Sequence, residues 1–260
     1  MDELDRLYRE RIGMAADEPL EFAGLSRLLE KTAAAFPFEN MRVLDGRACP
    51  ITKPYLTNKL LLEKEGGLCY ELNSLLYLFL AENGFRVVLA SGVNYDREAQ
   101  RYLTLGRSHI VVLLVYEERR YLLDAGFGAN LPLTPVPLNG DAVDSPNGTF
   151  RIRPEDGIPG DCRLEVKIKH KDTEWQIGYA FDSGTPIAGL TVSEDIRRLV
   201  AEHPESKFNK RPLATKLTET GNITLTDDSF TEWRDGIVTK ESIDGPRYRE
   251  LLRTRFGLRP

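Results

Sequence analysis

The hydrophobic spacing of this chain changes period at Gly84, and that change limits the folds open to it. Before Gly84, apolar residues recur at helical spacing; after it come short β-branched or aromatic runs bounded by turn residues. In the first 85 residues, "DELDRLYRERIG" ends at a glycine and "EFAGLSRLLEKTAAAF" stops at Pro37. "TKPYLTNKLLLEKEGG" follows, with apolar Tyr55, Leu56, Leu60 and Leu62. The next segment predicts a helix with Leu72, Leu75, Leu76, Phe79 and Leu80 as its buried stripe and Asn83-Gly84 as its stop. "FRVVLASGVNY", "HIVVLLVY", "RYLLDAG", "RLEVKIKH" and "EWQIGYAF" predict an antiparallel sheet curling toward a barrel. "SEDIRRLVAEHP" returns to helix at 193–204, and "ATKLTETGNITLTDDSFTEWRDG" reads as strands around a turn centred on Gly221. "GPRYRELLRTRFG" reads as a last helix. The expected organisation is α+β: a helical bundle over 1–85, a β middle over 86–192 and a mixed tail over 193–260.

At 260 residues, 41% hydrophobic and 29% charged, the chain can bury a real core. A net charge of -5 argues against nucleic acid as a partner, because phosphate contacts need a basic face. The N-terminal "MDELDRLYRERIGM" lacks the apolar centre of a signal peptide. The longest apolar run, "IVVLLVY" at 110–116, is strand-sized, so no membrane association is expected. Cys49, Cys69 and Cys162 are far apart with no CxxC pair. Neither a disulfide framework nor a metal site is expected, and a cytoplasmic location follows from the free thiols.

One of the three cysteines stands between a glycine pair and an apolar helix, in "EGGLCYELNSLLYLFLAENGF". The glycines let the backbone turn sharply, which places Cys69 at or near a helix N-terminus. Unpaired N–H groups and the positive end of the dipole favour a thiolate there and can stabilise an oxyanion. Packing alone also accounts for a buried cysteine. Of three histidines, His109 heads the most apolar strand and needs a polar partner, whereas His170 and His203 read as surface residues. Asp124 closes a buried strand, which is costly unless the carboxylate is paired; it is a turn cap ahead of Gly126 or the orienter of His109. A hairpin turning on Glu118-Arg119 sets Asp124 opposite Leu113, about 13 Å along the strand from His109. Turning on Tyr116-Glu117 sets the two directly opposite, and a bulge gives intermediate positions.

Four segments carry a resemblance: "PFEN" (37–40), "GGLCYELN" (66–73), "SHIVVLLV" (108–115) with "YLLDAGFG" (121–128), and "SKFNKRPLATKLTETGNITL" (206–225). In this order and spacing the chain resembles the arylamine N-acetyltransferase family. The resemblance implies a cysteine-protease-like fold of helical bundle, antiparallel β-barrel and C-terminal α/β lid, with Cys69, His109 and Asp124 as a catalytic triad. It also implies ping-pong acetylation of arylamines and arylhydrazines, the acetyl group passing from acetyl-CoA to Cys69 and then to the amine. Phe38, Phe127 and Phe208 resemble acceptor-pocket positions, and each is also an ordinary core residue type. Gly126 and Gly128 match the loop that the pantetheine arm passes, and Lys207, Lys210 and Arg211 are either phosphate contacts or a solvated basic loop. The family usually carries a basic residue just before the glycine pair, which braces the active-site helix. Here that position is Glu65, with Lys64 behind it as the partial substitute. Leu68 and Ala125 are milder departures.

Other functions fit the same residue types. An amide synthase or acyltransferase would keep the fold and change the donor. A transglutaminase-like cysteine hydrolase would pass the acyl group to water, and a binding module would use no nucleophile. The last two leave the 206–225 segment unexplained. The expected partners are a small amine and a CoA thioester, with the protein a monomer or homodimer.

Overall fold

The computed structural model describes residues 2–156 and 160–259. Helix α1 (Glu3–Ile12) opens on the Asp2 carboxylate and closes on Gly13 at φ 65, while α2 (Leu25–Ala35) stops at Phe36, ahead of Pro37. Short β1 (Phe38–Glu39) and α3 (Met41–Leu44) lead to α4 (Lys53–Leu56), which opens into a wide π-helical turn over Thr57–Leu62. Helix α5 (Cys69–Glu82) follows the glycine pair. The predicted stripe of α5 is buried, but so is every residue from Cys69 to Leu76. It is a central helix enclosed on all sides, which is why its apolar residues are not confined to one face.

The β middle is a nine-stranded antiparallel sheet. Its strands are β2 (Arg86–Asp96), β3 (Arg101–Tyr102), β4 (His109–Tyr116), β5 (Arg119–Leu123), β6 (Val136–Pro137), β7 (Val143–Ser145), β8 (Gly148–Pro154), β9 (Cys162–Ile168) and β10 (Gln176–Phe181). The order is β6-β5-β4-β2-β10-β9-β8-β7, with β3 beside β2, and the sheet curls until β6 meets β8. Val111 and Leu113 of β4 point into the barrel, against Phe150, Leu164 and Phe181. Ile110, Val112 and Leu114 point the other way, into the core shared with α5. Burial on both faces explains the unbroken apolar run of this strand.

Beyond the barrel, α6 (Thr191–Glu202) packs on α5, where the Ser193 and Ser74 hydroxyls meet at 2.6 Å. Strands β11 (Leu213–Thr218), β12 (Gly221–Thr226), β13 (Ser229–Arg234) and β14 (Ile237–Ser242) form the lid sheet, backed by α7 (Gly245–Phe256). The first hairpin turns over Glu219-Thr220 and is not centred on Gly221, which pairs with Thr218 as the first residue of β12. A Cβ at Gly221 would stand 2.2 Å from the Trp233 carbonyl oxygen, so a neighbouring strand, and not the turn, demands glycine there. The far edge of this sheet is β1, from the helical region, paired through Phe38 with Thr215. Asn40 fastens the same junction: its amide donates to the Phe208 and Arg211 carbonyls, and its oxygen accepts from Leu213 N, each at 2.8 Å. Among the described residues no helix is long and apolar enough to cross a membrane.

Candidate active site

Cys69 is the first residue of α5, as its spacing after the glycines predicts. The glycines are required by what packs against them. A Cβ at Gly66 would lie 2.2 Å from the Pro37 carbonyl oxygen, and one at Gly67 would lie 2.8 Å from Glu71 Oε2. Backbone bonds of 3.1 Å from Gly67 N to Pro37 O and from Glu39 N to Gly67 O lay the loop along β1. Glu71 reaches back to accept from Leu68 N at 3.0 Å, closing the N-terminus of the helix. Cys69 is buried, and its Sγ donates to the Ser108 carbonyl at 3.5 Å, one residue before His109.

His109 and Asp124 meet: Nε2 lies 2.8 Å from Oδ2. The hairpin reaches this arrangement by neither of the registers weighed from sequence. It turns on Glu117-Glu118, both at positive φ (47° and 64°), and pairs Val112 with Leu123. That places Asp124 just past the end of β5, two residues out of step with His109, and the side chains close the remaining gap. All four acceptor positions of the Asp124 carboxylate are used. Besides His109, Tyr179 Oη donates to Oδ2 at 2.8 Å, Asn73 Nδ2 to Oδ1 at 2.8 Å and Gly126 N to Oδ1 at 2.7 Å.

Burial works against a charged His109, but the Asp124 carboxylate outweighs it and the nearby Cys69 acts in the same direction, so the pKa is pushed up to about 10. The imidazolium therefore persists at neutral pH, with one ring nitrogen on the aspartate. A histidine raised in this way adds stability that is complete below its unfolded pKa, about 6.5, and is lost as pH rises through about 10. The unfolding free energy from urea titrations should accordingly fall between about pH 6.5 and 10, by an amount on the order of a few kcal/mol. A His109→Gln variant should lack this slope, and equal slopes in the two proteins would refute the assignment.

The loop after Asp124 lies directly over α5. Gly126 is pressed against Cys69: a Cβ there would lie 2.6 Å from Cys69 Cα and 2.9 Å from its Cβ, so no side chain fits. Gly128 adopts φ 59 and faces Thr215 of the lid. Between them, the Phe127 ring lies 5.5 Å from the His109 ring and meets Tyr179 edge-on at 4.8 Å. Phe38 and Phe208 pack edge to face at 5.7 Å, half-buried beside the helical core. The basic loop is largely occupied elsewhere, since Arg211 pairs with Asp227 and Asp228, and Lys207 lies 3.9 Å from Asp96. A cleft of about 910 Å³ opens from Ala129 and Asn130 between barrel and lid, bounded by Trp233 and by Lys31, Lys169, Lys171 and Lys216. Among the described residues none of these four lysines has a carboxylate partner within 4.0 Å.

A cysteine at a helix start and an imidazolium held by a carboxylate are the groups used for acyl transfer through a covalent intermediate. A family model described as N-acetyltransferase matches residues 21–259. The chain belongs to the arylamine N-acetyltransferase family. It is 38% identical to the uncharacterized acetyltransferase YvcN of Bacillus subtilis, over 95% of both chains. The NAT3 arylamine N-acetyltransferase of Bacillus cereus, described as having a unique Cys-His-Glu catalytic triad, is 35% identical at a TM-score of 0.94 and covers both chains completely. An arylamine N-acetyltransferase of Mycobacterium marinum, solved in complex with CoA, is 25% identical at a TM-score of 0.83, covering 97% of this chain and 92% of its own. In this member of the family the third position of the constellation is aspartate.

Two expectations drawn from the family pattern need correction or addition. Lys64 does not brace the active-site helix in place of Glu65: it is exposed, at φ 58, and its carbonyl accepts from Arg11. Glu65 turns away to bond Arg42, with Nε to Oε2 at 2.7 Å. The contacts on the start of α5 come instead from Tyr55 and Lys59, which donate to Glu71 Oε1 at 2.9 and 2.7 Å. Asn73 and Tyr179 were not singled out from sequence. Asn73, fully buried, also donates to the Ile110 carbonyl at 2.7 Å and accepts from Ala125 N at 2.8 Å. Its position four residues after Cys69, one helical turn on and the same face, was the available signal.

Proposed function

We propose that this protein N-acetylates arylamines and arylhydrazines by a ping-pong reaction in which Cys69 carries the acetyl group from acetyl-CoA. The observation that carries the reading is Cys69 at the N-terminus of α5, its Sγ on the Ser108 carbonyl one residue before His109, whose ring is held by Asp124. In the first half-reaction the sulfur anion attacks the acetyl carbonyl, the new C–S bond forms and CoA leaves as its thiolate, taking a proton from His109. In the second, the amine nitrogen attacks the thioester, His109 removes the ammonium proton, and the Cys69–acetyl bond breaks to give the amide. Exchange between thioesters is nearly isoenergetic, so the acyl-enzyme is no deep trap. The free N–H groups that a helix start supplies suit the developing oxyanion.

Phe127, beside the His109 ring, offers an aromatic wall to an arylamine, and the paired Phe38 and Phe208 extend it. Lys169, Lys171, Lys216 and Trp233 of the cleft suit the phosphates and adenine of CoA. Support comes from the family match and from the CoA complex of the Mycobacterium marinum relative.

Incubation with acetyl-CoA and no amine is expected to add one acetyl mass to the peptide bearing Cys69, with none on Cys49 or Cys162. Cys69→Ala should accept nothing, and double-reciprocal plots with an arylamine should be parallel. An unmodified Cys69 together with an unreacted arylamine would sink the proposal, whereas acylation from a different thioester alone would move the enzyme to the amide-synthase class.

A further inference from the structure

Lys59 is a lysine with 1% of its surface exposed, inside the π-helical turn over Thr57–Leu62. Lysine is almost never this buried unless paired, and its partners are two equally buried carboxylates. Its Nζ lies 2.7 Å from Glu71 Oε1 and 3.5 Å from Glu39 Oε1. The widened turn buries Lys59, Leu60 and Leu61 in succession, and such turns concentrate at functional sites. Both carboxylates belong to the platform under the nucleophile. Glu71 caps the first turn of α5 through Leu68 N, and Glu39 lies in β1, bonded through its backbone to Gly67.

The charge count in this pocket matters for Cys69. Two carboxylates and one ammonium face each other out of water, with the Glu65 carboxylate next nearest and the Tyr55 hydroxyl on Glu71. Burial pushes Glu39 up toward its neutral form, opposed by Lys59 and reinforced by Glu71. Lys59 keeps its charge although burial opposes it, because Glu71 and Glu39 hold it above the ordinary lysine value. Without the ammonium, negative charge would gather at the helix end that must favour a sulfur anion.

We infer that Lys59 is a positioning residue, whose buried ammonium balances the Glu71 carboxylate on the helix cap and so keeps the N-terminus of α5 electropositive toward Cys69. This rests on Cys69 being the nucleophile, but not on which donor or acceptor it serves. It also accounts for how a chain with Glu65 before its glycine pair keeps the active-site helix charged for reaction: the cation arrives from the preceding helical turn.

The test uses iodoacetamide at fixed pH, reading alkylation of the Cys69 peptide against that of exposed Cys49 in the same molecule by mass spectrometry. Lys59→Met is expected to lower the Cys69-to-Cys49 rate ratio by about tenfold or more, because the Glu71 carboxylate left unbalanced on the helix cap disfavours a sulfur anion. Lys59→Met/Glu71→Gln, which buries no uncompensated charge on the helix cap, should return the ratio to within about threefold of the parent. The double variant also covers the case in which the single one does not fold. A folded Lys59→Met protein with an unchanged ratio overturns the inference, as does a double variant that stays as slow as the single. Acetylation of the parent protein by acetyl-CoA is read separately, so failure of the proposed reaction and failure of this inference give different results.

Discussion

Asp124→Asn is expected to lower acetyl transfer by about ten-thousand-fold while the protein stays folded. The carboxylate accepts four hydrogen bonds, from His109, Tyr179, Asn73 and the backbone of Gly126. An amide keeps one acceptor oxygen, which serves Asn73 and Gly126 N. Its NH2 group then confronts His109 Nε2 and the Tyr179 hydroxyl, both donors in the parent protein. To avoid meeting N–H with N–H, the ring must deprotonate Nε2 and carry its proton on the side facing the sulfur. The imidazolium is thereby lost, and in the proposed mechanism so is the group that returns a proton to departing CoA. Single-turnover acetylation of Cys69 would measure the change. A fall of less than about tenfold would show that Asp124 is a turn cap and no more.

The second large effect is one of stability. Asn73 is completely buried and bonds three partners from the sheet side: the Ile110 carbonyl, the Asp124 carboxylate and the Ala125 N–H. Asn73→Ala removes all three bonds and strands a backbone carbonyl and a backbone N–H in a dry interface. At about 1–3 kcal/mol for each unsatisfied group, the expected loss is about 3–5 kcal/mol. In urea titrations the midpoint should drop with no change in slope. A loss under about 1 kcal/mol would mean that water enters and replaces the amide. Activity should fall as well, because Asn73 fixes both the aspartate and the loop that carries Gly126.

What the sequence disclosed, and what it withheld, follows the range of the forces involved. Helix ends marked by Gly13, Pro37 and Gly84, the strand runs, and Cys69 at a helix start all rest on local chemistry. The hairpin register was hidden because its two-residue turn is Glu117-Glu118, residues that rarely take positive φ, in place of the glycine or asparagine that usually marks such turns. Tyr179 sits 55 residues from Asp124 on a strand that reads as ordinary barrel, and only the closing of the sheet brings its hydroxyl inward. Lys59 lay in a segment whose apolar neighbours suggested a plain amphipathic helix. A π-helical widening has no reliable sequence mark, so a lysine that reads as solvated turns out to be buried. The glycines carried a truer message than their usual one: Gly66, Gly67, Gly126 and Gly221 are set by close neighbours more than by backbone angles.

The seam between β1 and β11 also bears on how the molecule is made. Asn40 binds the Phe208 carbonyl across 168 residues of chain, and Phe38 lies between Gly67 on one side and Thr215 on the other. At about 5–20 residues per second, a ribosome needs roughly ten to thirty seconds to travel that interval. For most of that time the nascent polypeptide carries its thiol-bearing segment but lacks the late strand that pins the platform beneath it. The platform beneath Cys69 is thus complete only when β11 has folded back onto the beginning of the polypeptide.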